Sequence, residues 1–397
     1  MNTPQTASGN EAFRLSLVRG DLLFRLQRRI GLIPADGLGI GRRAIFWSLV
    51  AWLPLAVWAW YQGRVALPPA DESLLAHYGV HVRFLFAVPL LIVAEALAHG
   101  VTTRLLPYFV TSGVVPTEIV PRFEKALADT ARLRNSTLPW IAIFAIVIAV
   151  MSVPTVTSDV HELNWAVEGE GSARRLGFGA WWLLYVSRAI FLTLILSWLW
   201  RVVLLFTLLR RIAKLPLSIV PTHPDRAGGL GFLARLPTAF APVVLAIGSV
   251  LAAGWAHGVV YHEVPVQGLK WEMVAFIVVV LAVFLSPVVV FAGTLARAKK
   301  QALLDYGALV GEHGRLVRQR WIEGRPVNDD AVLGAPELGP VADTAAIYEA
   351  VEKMRTVPLS KVSVLPIALA AVVPMLAVVA LKVPIAQIVK ALLGALI

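Results

Sequence analysis

The string with the clearest chemical potential runs from His223 to Gly231 and reads HPDRAGGLG. It places an imidazole, a carboxylate and a guanidinium within four positions, and three glycines follow. Histidine and aspartate can exchange protons with a substrate, and glycine amides can approach a bound anion closely. The string predicts an anion-binding loop, and for an enzyme it predicts a catalytic group. The anion-binding residues would be His223, Arg226, Gly228, Gly229 and Gly231, and the catalytic residues would be His223, Asp225 and Arg226.

A rigid turn explains the same string equally simply. Pro221 and Pro224 restrict the backbone, Asp225 can pair with a neighbour, and the glycines allow close packing. One histidine and one aspartate are not a complete metal ligand set, and the Gly-Lys-Ser/Thr ending of a phosphate loop is missing. The chain has no cysteine, which excludes thiolate chemistry and disulfides. We therefore expect no metal and no other cofactor, and the functional and structural interpretations both stay open.

A second group of polar residues interrupts two apolar stretches. An ionisable side chain at membrane depth is rare and usually faces the protein interior or a water-filled path. Glu95 and Arg201 fall at similar depth, so they could pair. The alternative is that the long side chains reach the lipid headgroups and form one structural ion pair. The candidate intramembrane polar path consists of Arg83, Glu95, Arg188, Thr193, Ser197 and Arg201.

Apolar stretches long enough to cross a bilayer determine the fold class. A hydrocarbon core about 30 Å thick needs roughly 20 apolar helical residues, and the stretches are continuous, as in helices rather than barrel strands. Hydrophobic residues make up 58% of the chain. We predict an all-α, polytopic helical membrane protein with about seven transmembrane helices plus cytoplasmic amphipathic helices. The predicted spans are 44–61, 79–98, 138–154, 180–209, 239–260, 272–296 and 362–381.

The distribution of positive charge predicts the orientation. Of the 36 Lys and Arg residues, 27 fall in four alternate segments: 1–43, 100–137, 210–238 and 296–361. Cytoplasmic loops of membrane proteins carry such an excess. The N-terminus is therefore predicted in the cytoplasm, and a bacterial inner membrane is the expected location. The formal charge of +11 then indicates contact with anionic lipids at the cytoplasmic face, and a nucleic-acid partner is not expected.

The predicted organisation has four parts. Residues 1–43 form a cytoplasmic segment with a basic amphipathic helix, about 11–30, on the inner leaflet. Residues 44–296 form a six-span core with cytoplasmic loops 100–137 and 210–238. Residues 297–361 form a cytoplasmic helical segment, whose first helix continues from the sixth span. Residues 362–397 hold the seventh span and an amphipathic tail, which could be interfacial, an eighth span, or re-entrant through a break at Pro366 and Pro374.

Four strings carry a resemblance to a known family. They are Gly31 to Gly39 with Arg42-Arg43, the HPDRAGGLG string, Asp305-Tyr306-Gly307 to Arg320-Trp321, and Met354 to Pro358. With them the chain resembles an uncharacterised family of bacterial polytopic inner-membrane proteins that contain HPDxxGGLG. The resemblance implies an inner-membrane location and a core role for the cytoplasmic segments. It implies no particular activity.

Three functional hypotheses follow. The leading one is channel- or transporter-like movement of a small ion or solute along the polar path. The second is a membrane-embedded enzyme that acts at the cytoplasmic face through the His223/Asp225 loop on phosphate-bearing substrates. The third is a membrane signalling or assembly scaffold. In that case 297–323 and 340–356 would bind a protein partner or a second copy of the chain. The balance favours a protein that is not an enzyme.

Overall fold

The computed structural model describes residues 13, 15–66, 73–152, 165–168, 175–327 and 339–383, and the fold is built almost entirely of helices. The predicted tail, 384–397, and the first twelve residues lie outside the described part. The helices, with labels used from here on, are α1 Leu22–Arg29, α2 Ile40–Tyr61, α3 Tyr78–Thr111, α4 Val120–Asn135, α5 Leu138–Ser152, α6 Phe178–Ala213, α7 Ala241–Tyr261, α8 Lys270–Val289, α9 Ala292–Trp321, α10 Gly339–Glu352 and α11 Lys361–Ala380. Two short antiparallel strands, β1 Val167–Glu168 and β2 Arg175–Leu176, pair between α5 and α6.

The prediction of a polytopic helical membrane protein is confirmed. Within the described residues, seven helices are long and apolar enough to cross a membrane. They contain α2, α3, α5, α6, α7, α8 and α11. We call the face of the bundle that carries the N-terminal segment the N-terminal face and the other the opposite face. Connections 112–119, 214–230 and 353–360 belong to the N-terminal face, because the helices alternate in direction.

Two helix boundaries differ from the prediction, and one of the alternatives for the last span is excluded. Helix α3 continues to Thr111, well past residue 98, although Gly100 and Pro107 lie within this extension. The helix predicted to continue unbroken from the sixth span is interrupted, since α8 ends at Val289 and α9 begins at Ala292. Pro287 lies just before this break. The alternative in which Pro366 and Pro374 break the last span is excluded, because α11 is continuous through both residues.

The N-terminal segment, residues 15–38, is only partly the surface helix that we predicted. Its helix α1 has eight residues instead of about twenty, and Asp21 caps it by accepting a hydrogen bond from the amide of Phe24 at 2.6 Å. The apolar residues Leu15, Leu17 and Val18 are buried, so this stretch packs into the protein. The segment therefore closes against the end of the helix bundle, while its arginines face outward.

Helices α3 and α6 share an unusual feature in the halves near the opposite face. Each contains a π-helical turn, Val82–Ala87 in α3 and Leu183–Ser187 in α6. Helix α2 packs against both turns and against the rest of α3. The hydroxyl of Ser187 donates to the carbonyl of Ala51 in α2 at 2.6 Å, which fixes the two helices at this level. The packing brings α2, α3 and α6 together around the polar residues described next.

Candidate functional site

A buried group of four charged side chains connects α2, α3 and α6 at the N-terminal face. Oε2 of Glu95 lies 2.5 Å from Nη1 of Arg43, and Oε1 lies 2.8 Å from Nη2 of Arg201. The exposed fractions of these side chains are 0% for Glu95, 1% for Arg43 and 2% for Arg201. The predicted pairing of Glu95 with Arg201 is confirmed. Arg43, which the sequence placed only in the basic flank of the first span, is a third member.

The N-terminal segment completes this group. Oδ2 of Asp21 lies 3.1 Å from Nη2 of Arg201, and the amide oxygen of Gln27 accepts a hydrogen bond from Nε of Arg43. Burial raises the pKa of Asp21 above its ordinary value, although the guanidinium of Arg201 acts in the opposite direction. We call Asp21, Gln27, Arg43, Glu95 and Arg201 the charge network. Its two carboxylates balance its two guanidiniums in number, so its fully ionised form is neutral.

The charge network keeps unused hydrogen-bonding capacity. Nε and Nη1 of Arg201 and Nε2 of Gln27 are buried and have no hydrogen-bond partner among the described residues. Oγ of Ser48, five residues after Arg43 in α2, is also buried and has no hydrogen-bond partner among the described residues. A buried donor without a partner costs about 1–3 kcal/mol. These atoms therefore mark a place where water or a polar ligand would be stabilised.

The other predicted members of the polar path lie along α3 and α6. Arg83 is partly buried and sits 5.9 Å from the ring centre of Phe191, and Arg188 is partly buried at the end of the π-helical turn in α6. Ser197 is buried, but its hydroxyl donates to the carbonyl of Leu194 in its own helix. Thr193 is partly buried. The structure therefore brings Glu95 and Arg201 into contact, and it places Arg83 and Arg188 toward the opposite face.

The His223 loop is organised around the carboxylate of Asp225. Oδ1 accepts from the amides of Ala227 (2.7 Å) and Gly229 (3.2 Å), and Oδ2 accepts from the amide of Gly231 (2.7 Å). Burial alone would raise the pKa of Asp225, but these amides and nearby His223 more than offset it, so the pKa is lowered. The amides of Gly229 and Gly231, which we predicted to bind an external anion, therefore already hold the chain's own carboxylate. These contacts support the rigid-turn interpretation.

Arg355 fastens this loop to the segment before α11. Its Nη2 donates to the carbonyl of Asp225 at 2.9 Å, its Nη1 donates to the carbonyl of Leu359 at 2.6 Å, and its amide donates to the carbonyl of Arg226 at 2.7 Å. Arg226 itself has a positive φ of 54°. Two of the strings that carried the family resemblance, HPDRAGGLG and Met354 to Pro358, thus meet in space. The sequence alone did not predict this contact between the two strings.

A cavity of about 190 Å³ opens beside the loop. Nδ1 of His223 lies 3.0 Å from Oδ1 of Asp225 and 3.2 Å from the amide of Asp225, and the ring is about half exposed. Because Nδ1 accepts from this amide, the amide orients the imidazole, and Nε2 carries the proton of the neutral ring. Arg226 is not among the residues that line the cavity. The polar lining side chains are Tyr108, Ser112, Ser218, His223 and Asp225.

Histidines also meet at the opposite face. The ring of His77 stacks on that of His257 with 5.4 Å between centres, and the ring of His262 lies 5.4 Å from His257. Across the described part of the chain, no group of three or more histidine, aspartate or glutamate residues has a geometry that could hold a metal ion. The contacts described for this cluster are those between the rings.

Comparison with known proteins adds no family. No family model, curated protein or solved structure matches the chain. The resemblance described above stays a prediction, and the function has to be argued from the site itself.

Proposed function

We propose that the protein moves a small ion or solute across the membrane along a polar path between α3 and α6, and that the N-terminal segment covers one end of this path. The path would run from Arg83 and Arg188 near the opposite face to Glu95 and Arg201. The segment would close it through Asp21. The observation that carries the proposal is the burial of Glu95, Arg43 and Arg201 as ion pairs in helices long enough to span a membrane, with Asp21 of the N-terminal segment paired to Arg201.

Energetics support a role beyond stability. Removing two charges from water costs several kcal/mol for each ion, so a buried ion pair is often no more stabilising than apolar packing. Intramembrane charges are correspondingly rare and most often belong to pathways for ions or protons. The unused donors of Arg201 and Gln27 add to this argument.

The helix geometry supports the same assignment. A π-helical turn widens a helix, shifts its hydrogen-bond register and is frequently found at functional sites. Here the two turns occur in α3 and α6, the two helices of the proposed path, and Arg83 lies within one of them. Arg188 directly follows the other. Local rearrangement of these turns would change the width of the path.

The charges along the path favour an anion as the transported species. Arg83 and Arg188 add two guanidiniums toward the opposite face, whereas Glu95, the one carboxylate on these two helices, is already paired with Arg43 and Arg201. Guanidinium groups remain charged at all physiological pH values and bind anions through several donors. A small inorganic anion would also satisfy the unused donors of Arg201.

The test is anion flux into proteoliposomes that hold a halide-sensitive dye, with a pH-sensitive dye in parallel. We expect Glu95→Gln to abolish flux while the protein still folds, because the amide keeps the shape of the side chain but no longer holds the guanidinium of Arg201 by an ion pair. The matched control is Glu118→Gln, which changes an exposed glutamate near the N-terminal face. Unchanged flux through a folded Glu95→Gln protein would remove Glu95 from the mechanism.

A second function, enzymatic turnover at the N-terminal face, is favoured by the cavity beside His223. The contact with Asp225 could orient His223 as an acid or base toward a phosphate-bearing substrate in this cavity. Product formation from isoprenoid and nucleoside diphosphates would test it by mass spectrometry. His223→Ala should abolish turnover and His262→Ala, at the opposite face, should not. Absence of any turnover by the wild-type protein, or its persistence in His223→Ala, would exclude this assignment.

A further inference from the structure

We infer that a pocket in the N-terminal segment binds a phosphate-bearing anion. The pocket is separate from the charge network and from the cavity beside His223. Its volume is about 260 Å³. It is lined by Arg19, Gly20, Phe24, Arg25, Arg28, Ala35 and Gly37.

The lining has one sign of charge. Arg19, Arg25 and Arg28 contribute three exposed guanidiniums, and none of the described residues that line the pocket is acidic; the exposed Asp36 lies between the lining residues Ala35 and Gly37. Asp21, which lies between two lining residues, is buried and points instead to Arg201. Three like charges around one concavity repel each other at low salt, and an anion removes this repulsion. Arginine forks match the oxygen geometry of phosphate, so a phosphate group is the chemistry that this lining recognises best.

The walls of the pocket are held in place by the end of α4. Nη2 of Arg25 donates to the carbonyl of Asn135 at 3.1 Å, and Arg134 donates to the carbonyl of Ser16. Gly20 has a φ of +98°, and a Cβ there would lie 2.9 Å from Nη2 of Arg134. The backbone around the pocket is therefore closely fitted to α4 before any ligand arrives, which lowers the ordering cost of binding.

The size and position of the pocket define the ligand class. A volume of about 260 Å³ is smaller than most drug-sized sites, so it suits one compact phosphate-bearing group rather than a large molecule. The pocket lies on the N-terminal face, where α2 begins and where α4 leads into α5. A phosphate could therefore come from an anionic lipid headgroup or from a soluble phosphate compound.

Binding would also stabilise the packed position of the N-terminal segment. Gly20 and Phe24 line the pocket, and Asp21 between them makes the ion pair to Arg201. A ligand that bridges Arg19 to Arg25 and Arg28 would hold these residues around Asp21. This inference does not depend on transport, because binding is measured without flux.

The experiment is native mass spectrometry of the full-length protein in lipid-free detergent. Inorganic pyrophosphate and phosphatidylglycerol are titrated separately. We expect saturable binding of at least one of them, and Arg28→Gln should weaken it about tenfold through loss of a charge-assisted contact. The matched control is Arg29→Gln, which removes the same charge from the neighbouring exposed position outside the pocket. It should change the affinity by less than about twofold, since only long-range attraction is lost.

The outcomes separate the two sources and test the site. Arg28-dependent binding of pyrophosphate would assign a soluble phosphate compound, and Arg28-dependent binding of phosphatidylglycerol alone would assign a lipid headgroup. Absence of both, or equal weakening by Arg28→Gln and Arg29→Gln, would overturn the inference. Melting temperatures of the ligand-free variants, expected to equal that of the wild type, exclude misfolding as the cause.

Discussion

Oε1 of Glu95 in α3 lies 2.8 Å from Nη2 of Arg201 in α6. The same carboxylate contacts Arg43 of α2, and the same guanidinium contacts Asp21 of the N-terminal segment. One buried pair thus connects three helices and the segment that closes over them. Loss of either charge leaves the other without full compensation in a medium that solvates ions poorly.

The first prediction concerns the stability of this connection. Glu95→Ala should lower the free energy of unfolding by about 3–5 kcal/mol, because two buried guanidiniums lose their shared counter-ion. Glu95→Gln should cost less, since its amide oxygen can still accept from Arg43. Thermal unfolding in detergent measures the order of the variants, with Glu118→Ala as the exposed control. Equal melting temperatures for Glu95→Ala and Glu118→Ala would show that the network contributes nothing to stability.

A second prediction follows from the amide contacts of Asp225. Asp225→Asn should destabilise the protein by about 1–3 kcal/mol, because an amide side chain cannot accept from all three backbone amides. The folded pKa is lowered, so the stabilisation is present above the ordinary carboxyl pKa and is lost as pH falls through the lowered value.

Melting temperatures of the wild type and Asp225→Asn, measured from neutral pH into the acid range, check this prediction. The difference between them should be largest near neutrality and should shrink at low pH. A difference that stays constant with pH would mean that the charge of Asp225 is unimportant.

The third prediction concerns the contact between the His223 loop and the segment before α11. Arg355→Lys should lower the melting temperature, because lysine cannot donate to the carbonyls of Asp225 and Leu359 in the same fork geometry. Hydrogen exchange should increase at residues 225–231. The control is Lys353→Gln, which removes an exposed contact to Glu349 and should have little effect. Similar hydrogen exchange in both variants would show that Arg355 does not hold the His223 loop against the segment before α11.

The fourth prediction compares two glycines. A Cβ at Gly231 would lie 2.8 Å from the Cβ and Oδ2 of Asp225, so Gly231→Ala must displace that carboxylate and lower the melting temperature. Gly100 in α3 has no atom within 4 Å of a Cβ placed there. Gly100→Ala should therefore be neutral or stabilising by about 0.5–1 kcal/mol. If Gly231→Ala melts at or above the wild-type temperature, the close approach of Asp225 is not a constraint.

The sequence predicts much of the fold because apolar length is a local property. Each of the seven predicted spans corresponds to a helix that could cross a membrane, including the first, Ile40–Tyr61. The break at 290–291 and the shortness of α1 were not predicted. The break follows Pro287, which is apolar and so does not interrupt the hydrophobic pattern. The length of α1 depends on packing against the bundle, which the pattern of one segment does not record.

The candidate site was predicted in part. Glu95 and Arg201 were paired because both are charged and lie at similar depth. Asp21 and Gln27 were missed because they belong to a segment whose basic residues suggested a surface helix. The cap that Asp21 forms at the start of α1 was a readable signal, but its contact with Arg201 depends on the tertiary fold. For the His223 loop, the sequence identified the carboxylate of Asp225 and the glycines. It did not show that the glycine amides bind this carboxylate rather than an external anion.

The most direct test of the account is anion flux through Asp21→Asn in proteoliposomes, compared with Asp36→Asn. Asp36 lies in the same N-terminal segment but is exposed, so its variant controls for the loss of one charge. If the segment closes the path through the ion pair of Asp21 with Arg201, Asp21→Asn should raise flux at least several-fold, while Asp36→Asn should match the wild type. Flux that is unchanged or reduced in a folded Asp21→Asn protein would contradict closure by the N-terminal segment.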